Sequence, residues 1–369
     1  MLTLLTISLL LWLIILLLPW KPWGTEERFE HCHIDDSFSL LNNLTILIPA
    51  RNEAQSLKMS LPSVLCQGNG LSVLVVDDCS DDKTAEVAAK ILNGQGHVIR
   101  GKPLPKDWIG KLWALEQGLR HVKTDYLLLM DADIVLEKGL LSSVLSFMQE
   151  KHIDFFSLMA WLRMEYLAER LFMPAFIYFF KLLYPFKLAN KQKSFVAAAA
   201  GGFILTKTKI LKEIGAFSSI KGSIIDDCTL AKKVKNKGYA TFIGITKCIK
   251  SIRHYKDLGT VWKMVERTAY TQLEYSLLWL LLATFLLLTC FAVPVIGLFY
   301  GGPLTLVMSL TTLFIMFISY LPILRYYDLH PLIGLTLPLV ASLYLAMTWS
   351  SALRYHLLDG TAWKGRKYK

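Results

Sequence analysis

Asp131 and Asp133 flank a single alanine where Tyr126-Leu127-Leu128-Leu129-Met130, an apolar run of strand type, comes to an end. Alternation along a strand would put both acids on one side, because residues i and i+2 share a face. Two carboxylates that close repel unless a cation lies between them, and hard oxygen ligands suit Mg2+ or Mn2+. A divalent ion held this way can grip a diphosphate, so Asp131 and Asp133 are the expected metal ligands. Other residues join them by type and position. Four acids crowd into Asp77-Asp78-Cys79-Ser80-Asp81-Asp82 after a short strand. The outer pair suits the start of the next helix, where negative charge offsets the helix dipole. Asp77 and Asp78 stand where a ligand would lie, and Asp78 could accept from a base N–H or a ribose hydroxyl.

Pro49-Ala50-Arg51-Asn52-Glu53 ends another strand in a polar turn, which is either a nucleotide-contacting loop or a helix cap. Lys111 opens a helix after Gly110; a lysine there opposes the dipole, and a bound phosphate would give it a reason. Asp226 and Asp227 open a further helix. Either is an N-cap on the bland view; on the sharper one, one of them faces the cleft as a general base, its pKa raised by neighbouring acids. His254 is a possible further metal ligand or a surface histidine. Arg267 either balances a diphosphate or is a basic residue of the membrane interface.

The elements needed to position these residues alternate. Strands are expected at 45–48, 74–76, 97–100, 126–130 and 155–161, and helices at 52–66, 83–92, 111–121, 138–149 and 225–237. Such alternation predicts a mostly parallel sheet covered on both faces, with ligands beyond the carboxyl ends of the strands. Both acidic clusters fall at those ends. No GxGxxG follows either of the first two strands, which disfavours the usual dinucleotide-binding fold.

Apolar residues make up 54 % of the 369, and the excess is concentrated. Residues 1–20, 277–324 and 331–353 carry no charge, runs long enough to cross a bilayer. The chain therefore reads as an integral membrane protein: an uncleaved anchor at 1–20, a linker at 21–43, a catalytic domain at 44–255, an interfacial segment at 256–276, two or three spans in 277–353 and a basic tail at 354–369. Residues 169–193, greasy but interrupted by lysines, suit a helix lying on the membrane. The net charge of +11 fits anionic headgroups better than nucleic acid, because no basic run is interleaved with base-stacking aromatics. The six cysteines, without metal-type spacing, read as unpaired thiols of a reducing compartment.

Taken in order, Ile48-Pro49-Ala50-Arg51-Asn52-Glu53, Val76-Asp77-Asp78-Cys79-Ser80, Gly110-Lys111-Leu112-Trp113-Ala114, Asp131-Ala132-Asp133, Gly201-Gly202-Phe203 and Asp226-Asp227-Cys228-Thr229-Leu230 resemble the family 2 glycosyltransferases over about residues 44–240. The resemblance implies an α/β fold of GT-A type, a Rossmann-like nucleotide-diphospho-sugar transferase domain, here with transmembrane helices. It also implies transfer of a sugar from a nucleotide diphosphate with inversion. By that analogy Pro49, Ala50, Glu53 and Asp78 lie near the nucleoside, Lys111 near the phosphates or base, Asp131 and Asp133 form the DxD motif that handles ribose and metal, and Asp227 is the acceptor's base, with Asp226 replacing the usual Glu. Residues 103–113, 168–176, 267–273 and 363–366 look like those of hopanoid-associated membrane members, neighbours of carotenoid and ceramide glucosyltransferases. Many relatives carry (Q/R)xxRW before the last spans. Here Met264 and Thr268 replace its outer residues, which argues against a processive polysaccharide synthase.

The resulting expectation is a metal-dependent transfer to a membrane lipid hydroxyl, hopanoid or other isoprenoid, by a multi-pass protein of a bacterial-type inner membrane. Nucleotide sugars are cytosolic, so the catalytic domain should face the cytosol. Three spans after residue 276 would put the basic tail outside, against the positive-inside tendency. Two other functions stand beside this one: a polyprenyl-phosphate sugar synthase, whose acceptor needs no strong base, and a membrane scaffold that keeps the fold without catalysis.

Overall fold

The computed structural model describes residues 1–30, 38–357, 361–363 and 366–368. The chain divides into two compact units, one of Glu27–Arg163 with Leu188–Arg253, the other of Met1–Glu26, Met164–Lys187 and His254–Lys369. It opens with α1 (Leu2–Leu17). Then follow β1 (Leu44–Ala50), α2 (Ala54–Leu65), β2 (Ser72–Asp77), α3 (Thr84–Leu92), β3 (Gly96–Arg100), α4 (Gly110–Leu119), β4 (Tyr126–Met130), β5 (Ile134–Leu136), α5 (Leu140–Glu150) and β6 (Phe155–Trp161). After α6 (Leu167–Leu183) and α7 (Phe186–Ala189) come β7 (Phe203–Lys207), α8 (Thr208–Glu213), α9 (Asp226–Asn236) and β8 (Thr241–Ser251).

The eight strands form one sheet in the order β3-β2-β1-β4-β7-β6-β8-β5. Alternate residues of its strands enter opposite cores. Ile46, Ile48, Val73, Val75, Leu128 and Met130 pack on the face that carries Leu57 and Leu61 of α2 and Leu141 and Val144 of α5. Leu47, Leu74, Val76, Leu127 and Leu129 pack on the face that carries Leu112 and Leu115 of α4 and Leu230 and Val234 of α9. This is the period-2 pattern of a sheet buried on both sides. Gly118 lets α4 lie close: a Cβ there would stand 2.2 Å from Leu47 Cδ1.

The sheet is mostly parallel, as expected, but mixed: β6 pairs parallel with β8 and six of the eight strands run one way, while β5 and β7 run against them. β1 runs parallel to β2 and β4, and β2 to β3, but β7 is antiparallel to both β4 and β6, and β5 is antiparallel to β8. Three strands went unanticipated: the short β5, β7 and the eleven-residue β8. These reversals matter for the site. Antiparallel pairing sets Phe203 opposite Met130 and so brings Gly201 and Gly202 to the acidic end of β4. It also sets Ser251 opposite Ile134, and Ile252 N–H donates to the Asp133 carbonyl at 2.9 Å.

Part of the expected linker is structured. Phe29 N–H donates to the Ile245 carbonyl at 2.9 Å, and its ring is buried against Phe147 and Phe156. Residues 31–37 lie outside the described residues. Cys66, Cys79, Cys228 and Cys290 are free thiols, but Cys248 is disulfide-bonded, which corrects the reading of every cysteine as unpaired.

In the other unit, α10 (Leu258–Gln272) is followed by α11 (Leu277–Leu287), a π turn and α12 (Val293–Gly297), then by α13 (Pro303–Tyr326) and α14 (Leu337–Leu357). Among the described residues, three helical stretches are long and apolar enough to cross a membrane: Leu277–Gly297, Pro303–Tyr326 and Pro331–Leu357. The 16 residues of α1 rise about 24 Å, less than a hydrocarbon core of about 30 Å. Its Trp12 Nε1 donates to the Cys290 carbonyl at 3.0 Å. Helix α6 is fastened to α13 by the Tyr178–Ser319 hydroxyl pair at 2.8 Å and to α14 by Tyr344 donating to the Phe172 carbonyl at 2.8 Å. Thr361–Trp363 and Arg366–Tyr368 of the basic tail form an antiparallel pair, β9 and β10.

Candidate active site

Lys111 lies in the first turn of α4, with its ammonium 2.9 Å from Asp131 and 3.5 Å from Asp226. Burial works against its charge, but the Asp131 and Asp226 carboxylates outweigh that and hold the ammonium well above the usual lysine range. A lysine that would oppose the α4 dipole therefore has its reason within the protein: it bridges the acid at the end of β4 and the acid opening α9.

Asp227 is the next carboxylate along. Oδ2 accepts the Gly201 N–H at 2.8 Å and Oδ1 accepts the Cys228 N–H at 2.7 Å. Burial and then the neighbouring Asp226 push its pKa up from 3.8 to about 6, against the opposing pull of Lys111 and the two backbone donors. Neither acid is the N-cap of α9, which is Ile225; Asp227 accepts a first-turn N–H from inside the helix and is also poised near neutrality. Gly201 makes room for this contact: a Cβ there would lie 3.2 Å from both Asp227 Oδ2 and Lys111 Nζ.

Asp131 and Asp133 do not share a strand face. The strand stops at Met130, and the chain turns through Asp131, Ala132 and Asp133 before β5, with Ile134 N–H donating to the Asp131 carbonyl at 3.2 Å. The expected alternation fails because the backbone is no longer extended there, and the two acids meet different cations. Asp133 Oδ2 is 2.9 Å from Arg253 Nε, and the same guanidinium reaches Glu53 at 3.9 Å. Burial raises the Asp133 carboxyl, Arg253 opposes the rise, and the Asp131 and Glu53 carboxylates add to it.

Arg253 is not among the expected site residues, whereas His254 beside it is. The available signal was an arginine just past the end of an apolar strand. His254 itself has its Nδ1 4.0 Å from Glu169 and its ring edge-on to Tyr166. Glu169 also accepts the backbone N–H of Glu165, Tyr166 and Tyr255, fixing the start of α6. Arg267 lies half-buried on α10.

The remaining predicted residues line two loops zipped together. Asp78 N–H donates to the Ala50 carbonyl at 2.8 Å, and Arg51 donates to the carbonyls of Asp78 and Cys79, each at 2.7 Å. Glu53, beginning α2, donates its N–H to Thr84 Oγ1 and accepts from Ser56 at 2.6 Å. Asp82 accepts the Thr84 N–H at 2.9 Å, as expected of an acid serving α3. Pro49 stands opposite Val76 and Ala50, the last residue of β1, opposite Asp77. Asp77 and Asp78 are 8 % and 2 % exposed, and Asp77 Oδ1 is buried with no hydrogen-bond partner among the described residues. A buried acceptor left open is costly unless something donates to it.

A divalent cation fits part of this donor set. Asp131 and Asp133 offer hard oxygens, and the carboxylate repulsion that adds to burial in raising Asp133 is what a cation relieves. Among the described residues no group of three or more His, Cys, Asp or Glu forms a cage. Mg2+ commonly takes only one or two carboxylates and completes its shell with phosphate and water.

Residues 45–215 match the model of the family described as "Glycosyl transferase family 2". The chain is similar to 4,4'-diaponeurosporenoate glycosyltransferase of Staphylococcus haemolyticus strain JCSC1435, at 34 % identity over 94 residues, 26 % of this chain and 25 % of that protein. It is also similar to the enzyme of the same name from Staphylococcus aureus strain bovine RF122 / ET3-1, at 37 % over 92 residues, 25 % of this chain and 24 % of that protein. The chain thus spans about a quarter of the length of these curated relatives. Among solved structures, the mannosyltransferase PcManGT from Pyrobaculum calidifontis, in complex with GDP-Man and Mn2+, shares the fold. Its TM-score is 0.52 at 15 % identity, over 85 % of this chain and 87 % of that one.

Proposed function

Because the chain carries a domain of glycosyl transferase family 2 at residues 45–215, we propose that it transfers a sugar from a nucleotide-diphosphate donor to the hydroxyl of a membrane lipid, with inversion. One observation carries this reading: Lys111 joins Asp131 to Asp226 with Asp227 alongside, so a cation for a diphosphate and a carboxylate near neutrality share one site.

The chain's own residues would act as follows. The zipped loops of Pro49, Ala50, Glu53 and Asp78 hold the nucleoside, and the open oxygen of Asp77 offers it an acceptor. Lys111 turns its ammonium from the carboxylates toward the departing diphosphate. Asp131 and Asp133 would hold a divalent cation, which when bound neutralises charge on that diphosphate. Asp227 takes the proton of the acceptor hydroxyl as oxygen attacks the anomeric carbon, and the bond to the diphosphate breaks on the opposite face. Gly201 N–H and Cys228 N–H keep its carboxylate aimed.

Membrane association rests on the three apolar helices. We assign the domain of 44–255 to the cytosolic face of a bacterial-type inner membrane, with residues 1–20 as an anchor and 277–353 as spans. The acceptor is an isoprenoid lipid; the staphylococcal relatives are named for 4,4'-diaponeurosporenoate, whose acceptor group is a carboxylate where a hydroxyl is proposed here. Lipid extracts of cells with and without the gene, compared by mass, test the reading. A lipid heavier by one sugar should be present only with the gene, and identical lipid profiles would refute it.

A further inference from the structure

Phe195 is 92 % exposed. Among the described residues of its unit, the other exposed large apolar side chain is Met59, at 54 %. A phenyl ring so bare costs free energy in water unless something covers it. The segment that presents it is not loose. Asn190 is locked to Ile243 by two hydrogen bonds, its Nδ2 donating to the carbonyl at 3.0 Å and its Oδ1 accepting the N–H at 2.7 Å. Gln192 donates to the Gly238 carbonyl at 2.9 Å. Lys235, buried on α9, donates to the carbonyls of Ala189 and Val196, each at 2.6 Å. These two carbonyls bracket the loop, so a buried cation with backbone partners clamps it at both ends.

The loop that carries the ring and the helix α9 that clamps it are both basic. Residues 188–196 contain Lys191 and Lys193, residues 228–238 contain Lys232, Lys233, Lys235 and Lys237, and neither segment contains an acid. Lys191, Lys193, Lys232 and Lys237 are exposed. An exposed aromatic ring on an anchored loop that also carries two exposed lysines is complementary to an anionic bilayer surface, the ring entering the interface and the ammonium groups meeting headgroup phosphates.

We propose that Phe195, with Lys191 and Lys193, is a membrane-touching prong of the catalytic unit that docks on anionic lipid. Its connection to the site is direct. Phe195 lies six residues before Gly201, whose N–H holds Asp227, and α9 carries Asp227 in its first turn and the clamp Lys235 in its last. Along that helix the two stand about 12 Å apart. The prong therefore fixes the height of Asp227 above the headgroups, where a lipid hydroxyl would arrive. That consequence rests on the lipid-acceptor reading; the docking itself does not.

The test uses the full chain in nanodiscs, with Cys66→Ser and Cys79→Ser to silence exposed thiols. Phe195→Cys carries an NBD label, Lys90→Cys serves as the control site, and nitroxide-bearing lipid is the quencher. Expected is a blue-shifted emission at position 195, quenched several-fold more than at position 90. The quenching should be stronger in phosphatidylcholine with phosphatidylglycerol than in phosphatidylcholine alone. Lys191→Glu with Lys193→Glu should lose that preference by about fivefold per lysine. Quenching at 195 equal to that at 90, or indifferent to phosphatidylglycerol, overturns the proposal. A blue shift that grows with protein concentration in lipid-free amphipol would assign the prong to a second copy of this chain and also overturn it. None of these readouts uses sugar transfer. An absent transfer activity with intact quenching would sink the proposed function alone.

Discussion

Asp227→Asn separates chemistry from folding. In the folded chain the Asp227 pKa is raised from 3.8 to about 6. The folded state therefore binds the proton more tightly than the unfolded one. The stability associated with this proton is fully present below about pH 4 and is lost as pH rises through about 6. At 1.36 kcal/mol per unit, holding the ionised carboxylate costs about 3 kcal/mol at neutral pH. Asparagine removes that cost but has one acceptor oxygen for two donors, the N–H groups of Gly201 and Cys228. Leaving one unmet costs about 1–3 kcal/mol. The two terms nearly cancel, so the variant should melt close to the parent at pH 7.5 and below it at pH 4.5, by differential scanning fluorimetry. Binding of nucleoside diphosphate, by calorimetry, should persist. Transfer should fall by about 10²–10⁴-fold, the usual worth of a general base. Full turnover in Asp227→Asn would refute the base assignment and fit an acceptor that is already ionised, such as a lipid phosphate.

Three further outcomes follow from the same geometry. Lys111→Met removes a cation that holds Asp227 down, so the acidic limb of the pH–rate profile should move up by about one unit; an unmoved limb would uncouple the two. Asp133→Asn should weaken Mn2+ binding at least about tenfold, read by the electron spin resonance of free Mn2+. The circular dichroism should be unchanged, since Arg253 keeps Glu53 at 3.9 Å. Gly201→Ala puts a methyl 3.2 Å from Asp227 and Lys111 and should cut transfer by about 10–100-fold through misplacement, with a melting temperature near the parent's.

Much of the site was legible because local pattern carried it. The apolar run 126–130 announced β4 with its true bounds, and Asp226 and Asp227 announced the start of α9. What sequence periodicity could not show was the direction of non-local pairing. β7 enters antiparallel, and only that reversal sets Gly201 against Asp227 and Lys111. β8 was missed because Gly244 and Thr246 blur its alternation, and Arg253 went with it, since its role exists only once β8 pairs with β5 beside Asp133. The strand rule failed at Asp131 and Asp133 for a local reason: the ladder ends one residue before the first of them.

The most direct test of sugar transfer is made with the purified chain in nanodiscs containing a lipid extract of its own membrane, a divalent cation and a panel of radiolabelled nucleotide sugars. Label should pass into the organic phase from one of these donors, and should fail to do so when Asp227 is replaced by asparagine. Label that stays in the aqueous phase for every donor, or that reaches the lipid equally well in both proteins, would contradict the account.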